Sequence, residues 1–362
     1  MKLRSWNPRL LQHFASLPKF KSVYNYKYIS DAESAQRLID CMDFRAKYPN
    51  SAGNLDIVDI FPGSGLFSTM VNCELQPRNH VVLEKERDNV AVWTSRLKAL
   101  QASGNRENFR FYPLDGYEWD TYTKLIDEYG AIRPVVQARD RVHDQLLVLA
   151  NLTAPATGES VLAQWIQCCA NQNWLQKYGR VRMFIFVRHA SSLKFLAGPT
   201  FLKRNRAALK RDIYTDSTLV ALLDIVNETH ATPGDGFDPA MLFAHQPLVL
   251  HNGAVAPTPG DFSMMEIVPR AGLEDLDVFD VDHLCQSLMY KSHLSIRECL
   301  AMVGPGAPDD LAPKIREEIL EKKPRQLTRK EFLEIYRVYT LWPFKATFVD
   351  TVDILMDDYR SF

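Results

Sequence analysis

Asp59, Gly63, Gly65, Glu84, Asp115 and Asn151 have the types and the spacing from which a nucleotide site is built. In Asp59-Ile-Phe-Pro-Gly-Ser-Gly65 a strand runs into a glycine-containing turn, a geometry that brings backbone N–H groups close to a ligand. A carboxylate at the tip of the next strand, here Glu84, can take both hydroxyls of a ribose. The turn carries only two glycines, and such a turn serves equally as a plain chain reversal. A second constellation is basic: Lys194, Lys203, Arg204, Arg206, Lys210 and Arg211 all precede the next acid, Asp212. Charge of that density suits a phosphate-binding surface, or else a solvated face whose charges pair with acids elsewhere. Phe195, Phe201 and Tyr214 accompany it, either as stacking platforms for unpaired bases or as core.

Positioning these groups requires a particular order of elements. Between about residues 55 and 190, short β-branched runs alternate with helical stretches, the pattern of a parallel sheet covered by helices. Strands are expected at 55–60, 80–83, 109–111 and 146–150, with a helix over 88–100. Polar residues at their carboxyl ends, Glu84, Asp115 and Asn151, mark the ligand edge. A helix over 161–174, a strand over 181–187 and a short helix from Ser191 to Gly198-Pro199 follow, then strands at 219–226 and 262–268. The Gly- and Pro-rich stretch 233–259 is read as loop with a short helix near Met241. From Asp280 the pattern is helical. Ser295-Ile-Arg-Glu298 and Thr328-Arg-Lys-Glu331 are capping boxes, and Phe332, Ile335, Tyr336 and Tyr339 recur at helical spacing before Trp342-Pro343 stops the run.

The composition, 46% hydrophobic and 24% charged over 362 residues, excludes a mainly disordered chain. With 43 Lys+Arg against 44 Asp+Glu, nucleic-acid binding would have to come from uneven placement of charge. The longest apolar runs fall far short of the roughly 20 residues that span a bilayer, so no membrane partner is expected. The six cysteines form no C-x-x-C pair and the histidines no ligand grouping, which predicts free thiols and no metal. Residues 1–30 hold Lys and Arg but no acid, the character of a targeting segment or a basic arm, with Pro8 interrupting any long helix. The last seventeen residues interleave Asp350, Asp353, Asp357 and Asp358 with apolar side chains, as a partner-binding helix or a packed terminal one. Four segments result: a basic arm over 1–22, a nucleotide-site domain over 23–274, a helical domain over 275–345 and an acidic tail over 346–362.

The order of the site residues resembles the ribosomal RNA adenine dimethyltransferase family, which uses S-adenosylmethionine. That family has an acidic-x-Gly-Pro-Gly-x-Gly turn, a Glu ending the second strand, an Asp after the third and Asn-Leu-Pro-Tyr after the fourth. Here Asp59 to Gly65, Glu84, Asp115 and Asn151-Leu-Thr-Ala154 follow in that order. The segment Tyr26-Lys-Tyr-Ile-Ser-Asp31 is similar to the family's Gln-Asn-Phe-Leu-x-Asp, with Ile29 at the Leu position. The resemblance implies an α/β, Rossmann-like methyltransferase fold with a small all-helical C-terminal domain, and Ile29, Asp59, Gly63, Gly65, Glu84, Asp115 and Asn151 at the cofactor position.

Departures bear on the chemistry. Thr153 and Ala154 replace the Pro and the aromatic residue that hold a flipped base, and Phe61 replaces the first glycine of the turn. Methyl transfer then loses orientation, a contribution of about 7–11 kcal/mol in favourable cases, so Asn151 is read as vestigial. Within the superfamily, the fungal mitochondrial transcription factor B branch is resembled most. The stretches that carry this include Phe61-Pro-Gly-Ser-Gly65, Asp115-Gly-Tyr-Glu-Trp-Asp-Thr-Tyr122, Gln172-Asn-Trp-Leu175 and Leu341-Trp-Pro-Phe-Lys345. That branch implies a monomeric initiation factor of the mitochondrial matrix, bound to the single-subunit mitochondrial RNA polymerase and to promoter DNA including its unpaired strand. It implies no required cofactor, S-adenosylmethionine being at most a residual ligand. The alternative is an rRNA adenine N6-dimethyltransferase with Glu84 on ribose, Asp115 at adenine and Asn151 at the target base.

Overall fold

The computed structural model describes residues 3–15, 26–104, 108–155, 157–202, 204–223, 246–257 and 260–347. Lys203, the expected helix near Met241 and the acidic tail from residue 348 lie outside the described residues. Two compact units form: residues 1–193 with 215–271, and residues 194–214 with 272–362.

The first unit carries β1 (Tyr28–Ile29), β2 (Asp56–Ile60), β3 (Asn79–Leu83), β4 (Phe109–Tyr112), β5 (Val142–Leu152), β6 (Arg180–Val187), β7 (Thr215–Leu223), β8 (Leu248–Leu250), β9 (Val255–Ala256) and β10 (Ser263–Pro269). Eight of them make one sheet in the order β4-β3-β2-β5-β6-β10-β7-β8. Neighbours from β4 to β6 are parallel, and β10 enters antiparallel between β6 and β7. Helices cover both faces of the central strands, so every residue of β2 is buried, Asp56 and Asp59 included. Strand order reverses between β2 and β5, where Asp59 pairs with Leu149 and Ile60 with Ala150. Ligands of open α/β sheets bind beyond the carboxyl ends of the strands at such a reversal.

One core lies under the helices Ala32–Met42 and Leu66–Leu75, which meet Leu147, Leu149, Phe184, Phe186 and Met264 of the sheet. A second, on Val82 and Phe109, takes Trp93 and Leu100 from the helix Arg87–Ala102, and Leu10 and Phe14 from the N-terminus. Pro8 does not interrupt the N-terminal segment. It occupies the first turn of the helix Pro8–Phe14, where its missing N–H costs nothing, and Asn7 caps that helix. Residues 3–15 are thus folded onto the first unit: Ser5 donates to Glu74 at 2.7 Å, and Phe14 is fully buried against Trp93.

The sequence misses three other features. The stretch read as loop contains β8 and β9, and β1, which pairs antiparallel with β9, was not foreseen. Residues 194–214, expected in the larger domain, cluster instead with the C-terminal helices and contribute the helix Arg206–Tyr214. In that second unit both capping boxes form, at Ser295/Glu298 and Thr328/Glu331. The helix Arg329–Thr340 buries Phe332, Ile335, Tyr336 and Tyr339, while Trp342 beyond its end donates to Asp310 at 2.8 Å. Among the described residues no helix is long and apolar enough to cross a membrane.

Candidate functional site

The pairing of β1 with β9 lays the segment 26–29 across the reversal point, and this decides the state of the nucleotide constellation. Gly63 and Gly65 adopt φ of 66° and 87°, as the turn requires. Yet the face that Gly63 would offer to a ligand is covered. A Cβ placed there would stand 2.3 Å from the Tyr28 ring, and one on Gly65 would stand 2.5 Å from Trp93. The Trp93 indole donates to the Gly63 carbonyl at 2.7 Å, and Arg96 donates to that of Ser64. Phe61, where the resembled turn has glycine, keeps the left-handed backbone at φ 55°, strain worth about 1–3 kcal/mol for such a residue.

Phe61 belongs to a cluster of rings. Its centroid lies 4.8 Å from Tyr117, edge on, and 5.6 Å from Tyr26, which stacks at 6.2 Å on Tyr28. The Lys85 ammonium sits 5.4 Å from the Phe61 ring and 5.3 Å from that of Tyr117. Burial pushes the phenols of Tyr26, Tyr28 and Tyr117 above their ordinary range, so they stay neutral donors. The Tyr26 hydroxyl donates to that of Tyr117, which faces the Asn151 carbonyl at 3.4 Å. Four aromatic side chains therefore stand where the turn, Glu84, Asp115 and Asn151 converge.

The polar groups of the constellation have partners within the chain. Asp59 accepts from His80 at 3.0 Å. Glu84 is buried and accepts from the Glu86 N–H and the Asn89 amide, at 3.0 and 3.1 Å. Burial raises its carboxyl to about 7 against the opposing pull of those hydrogen bonds. Asp115 pairs with Lys85 at 2.5 Å and accepts from the Tyr117 N–H. Asn151, which would hold a target amino group in the resembled enzymes, donates to the Lys27 carbonyl at 2.8 Å and accepts from the Thr153 N–H and hydroxyl. Ile29 is a core residue. A cavity of about 20 Å³, lined by Tyr28, Ile29, Asp59 and Asn151 together with the core side chains Phe186 and Met264, has room for roughly one water molecule, and Gly63, Glu84 and Asp115 do not line it.

The basic segment divides. Arg204 is buried, donates to the carbonyls of Arg325 and Leu327 and pairs with Asp212, so it ties helices of the second unit together and offers nothing to phosphate. Arg211 is likewise buried, donating to the Phe195 carbonyl at 2.8 Å and pairing with Asp212. Both were expected on a nucleic-acid surface, and burial of their side chains overturns that placement. Lys210 pairs with Asp282 at 2.9 Å. Lys194 and Arg206 are exposed. Phe195 and Tyr214 are core.

Tyr26, Tyr28, Lys85 and Tyr117 are the site residues that the nucleotide pattern does not single out. The bulky Phe61 at a glycine position was the available signal that something fills the cleft, and the β1–β9 pairing that delivers Tyr28 had none.

Comparison with known proteins extends over nearly the whole chain. The family of ribosomal RNA adenine dimethylases matches residues 17–340. Proteins named mitochondrial transcription factor 1 are similar: that of Lachancea kluyveri is 28% identical, covering 95% of this chain and 97% of its own. That of Saccharomyces cerevisiae is 29% identical over 94% of each. Among solved structures, a dimethyladenosine transferase from Plasmodium falciparum superposes with a TM-score of 0.55 at 10% identity, covering 85% of this chain and 95% of that one. The 23S rRNA methyltransferase ErmE gives 0.53 at 10% identity, over 86% and 98%. At that identity the likeness shows the fold, a Rossmann-like methyltransferase sheet followed by C-terminal helices.

Proposed function

The chain belongs to the ribosomal RNA adenine dimethylase family, and from that footing we propose that it works as a mitochondrial transcription factor rather than as a methyltransferase. The observation that carries the proposal is the aromatic plug: Tyr26, Tyr28, Phe61 and Tyr117 fill the cleft in which the family's cofactor would lie. Methyl transfer depends on holding donor and acceptor in a near-attack geometry. The Tyr28 ring packed over Gly63, and an Asn151 bonded to the Lys27 backbone, work against such a geometry.

A fold shaped to admit nucleic acid keeps a use without the chemistry. Separating promoter strands costs a few kcal/mol per unstacked step unless the strands gain contacts elsewhere. Lys194 and Arg206 present exposed positive charge for phosphates, and Trp119, about half exposed just beyond the Asp115 loop, offers a face to an unstacked base. In this reading the protein acts as a monomer in the mitochondrial matrix, binds the single-subunit mitochondrial RNA polymerase, and assists promoter recognition and melting.

Run-off transcription with the cognate polymerase on closed and on pre-melted promoters tests the proposal. The protein should raise transcription from the closed template more than from the pre-melted one. Equal effects on the two templates would refute a role in melting. Dimethylation of small-subunit rRNA adenine by the purified protein would overturn the whole reading in favour of the enzyme.

A further inference from the structure

We infer that the second unit holds a subsite for one nucleotide of an unpaired DNA strand, its phosphate on Arg206 and its base on Tyr290; this rests on the transcription-factor reading. A surface groove of about 290 Å³ is lined by Asn205, Arg206, Gln286, Met289, Tyr290 and Ser292. That size lies near the lower bound for small-ligand sites, enough for one base with its phosphate.

Arg206 opens the helix Arg206–Tyr214, is exposed, and forms no ion pair among the described residues. Its guanidinium fork suits two phosphate oxygens. The positive end of the helix, with Asn205 capping the Ala208 N–H at 3.1 Å, adds to the attraction. Arg204, whose bonds run to the carbonyls of residues 325 and 327, fixes the backbone immediately before this turn.

On the other wall Tyr290 ends the helix Val278–Tyr290 and is 74% exposed. An aromatic ring that gains so little from burial within its own chain is available to a stacking partner, and base stacking on such rings tolerates any sequence. Met289 gives the groove an apolar side, while Gln286 and Ser292 carry hydrogen-bonding groups for a base edge or sugar. Lys291, next to Tyr290, is exposed and adds positive charge, and the nearby carboxylate of Asp282 is already paired with Lys210.

The test is fluorescence anisotropy of the full chain with a labelled single-stranded DNA of about 12 nucleotides, titrated at several salt concentrations. Tyr290→Ala should weaken binding roughly 5- to 100-fold, whereas Tyr290→Phe, which keeps the ring, should stay within a factor of about 2 of the native chain. Arg206→Gln should lower the log–log salt slope by about 0.7, one phosphate contact. Thermal melting of each variant checks that the fold is intact. If the native chain binds single strands and all three variants match it in affinity and slope, the subsite is refuted while the transcription-factor reading stands. Loss of polymerase binding in the absence of DNA, with single-strand affinity unchanged, would also refute it and make the groove a protein-docking surface. Failure of the native chain to bind single strands, alone or with the polymerase, would sink both.

Discussion

Glu84→Gln provides the sharpest test of the self-filled cleft. In a working nucleotide site this carboxylate would be ionised and solvated until it met ribose; here it is buried beside Tyr28, and burial raises it from 4.5 to about 7. The folded chain thus holds a proton that the unfolded chain releases at lower pH. Its contribution to stability is fully present below about pH 4.5 and is lost as pH rises through about 7. At about 1.36 kcal/mol per pKa unit, ionisation penalises the fold by about 0.8 kcal/mol at pH 5 and about 3.3 kcal/mol at pH 8. Glutamine cannot ionise. Its amide faces the same two donors with one acceptor fewer, but that defect is independent of pH. Urea unfolding of both proteins across this range, extrapolated linearly to water, should therefore show the variant gaining about 2.5 kcal/mol on the native chain between pH 5 and pH 8, whatever the offset at pH 5. A flat difference, or a native chain that gains on the variant as pH rises, would refute the assignment of Glu84 as a buried, ligand-free carboxyl.

Three further outcomes are expected. S-Adenosylmethionine at about 1 mM should leave the melting temperature of the native chain unchanged, whereas a dissociation constant of about 10 μM would stabilise it by about 2.7 kcal/mol. Phe14→Ala should cost about 3–5 kcal/mol in chemical denaturation, because Phe14 is fully buried against Trp93 and Phe109; a loss within about 0.5 kcal/mol would mean that residues 3–15 are a detachable arm. Arg204→Ala should cost about 3–5 kcal/mol by stranding two carbonyls and part of the Asp212 charge, while Arg206→Ala, two residues away, should stay within about 0.5 kcal/mol. Equal stability losses for those two variants would contradict the division of the basic segment into a buried and an exposed part.

Local patterns determined much of this molecule. The runs at residues 57–60, 80–83, 146–150 and 181–187 are strands because short, mostly apolar and β-branched-rich segments suit a sheet buried on both faces, a property that each segment carries by itself. Both C-terminal capping boxes are equally local, since hydroxyl and carboxylate lie three residues apart on one turn. The positions of Asp59, Gly63, Glu84, Asp115 and Asn151 at the carboxyl ends of strands follow from the same order. What these side chains do was decided by contacts between distant segments. Tyr28 reaches Gly63 because β1 pairs with β9, more than two hundred residues away, and β9 lies in a stretch whose Gly and Pro content reads as loop. Asn151 is bonded to Lys27 by that same strap. In the basic segment, composition could not separate Arg204 and Arg211, buried on carbonyls and on Asp212, from Arg206 in the open groove, because charge density carries no information about which way a side chain leaves the backbone. Sequence period sets the elements; burial, which depends on what the rest of the chain lays over them, sets whether a charged or polar residue remains available to a ligand.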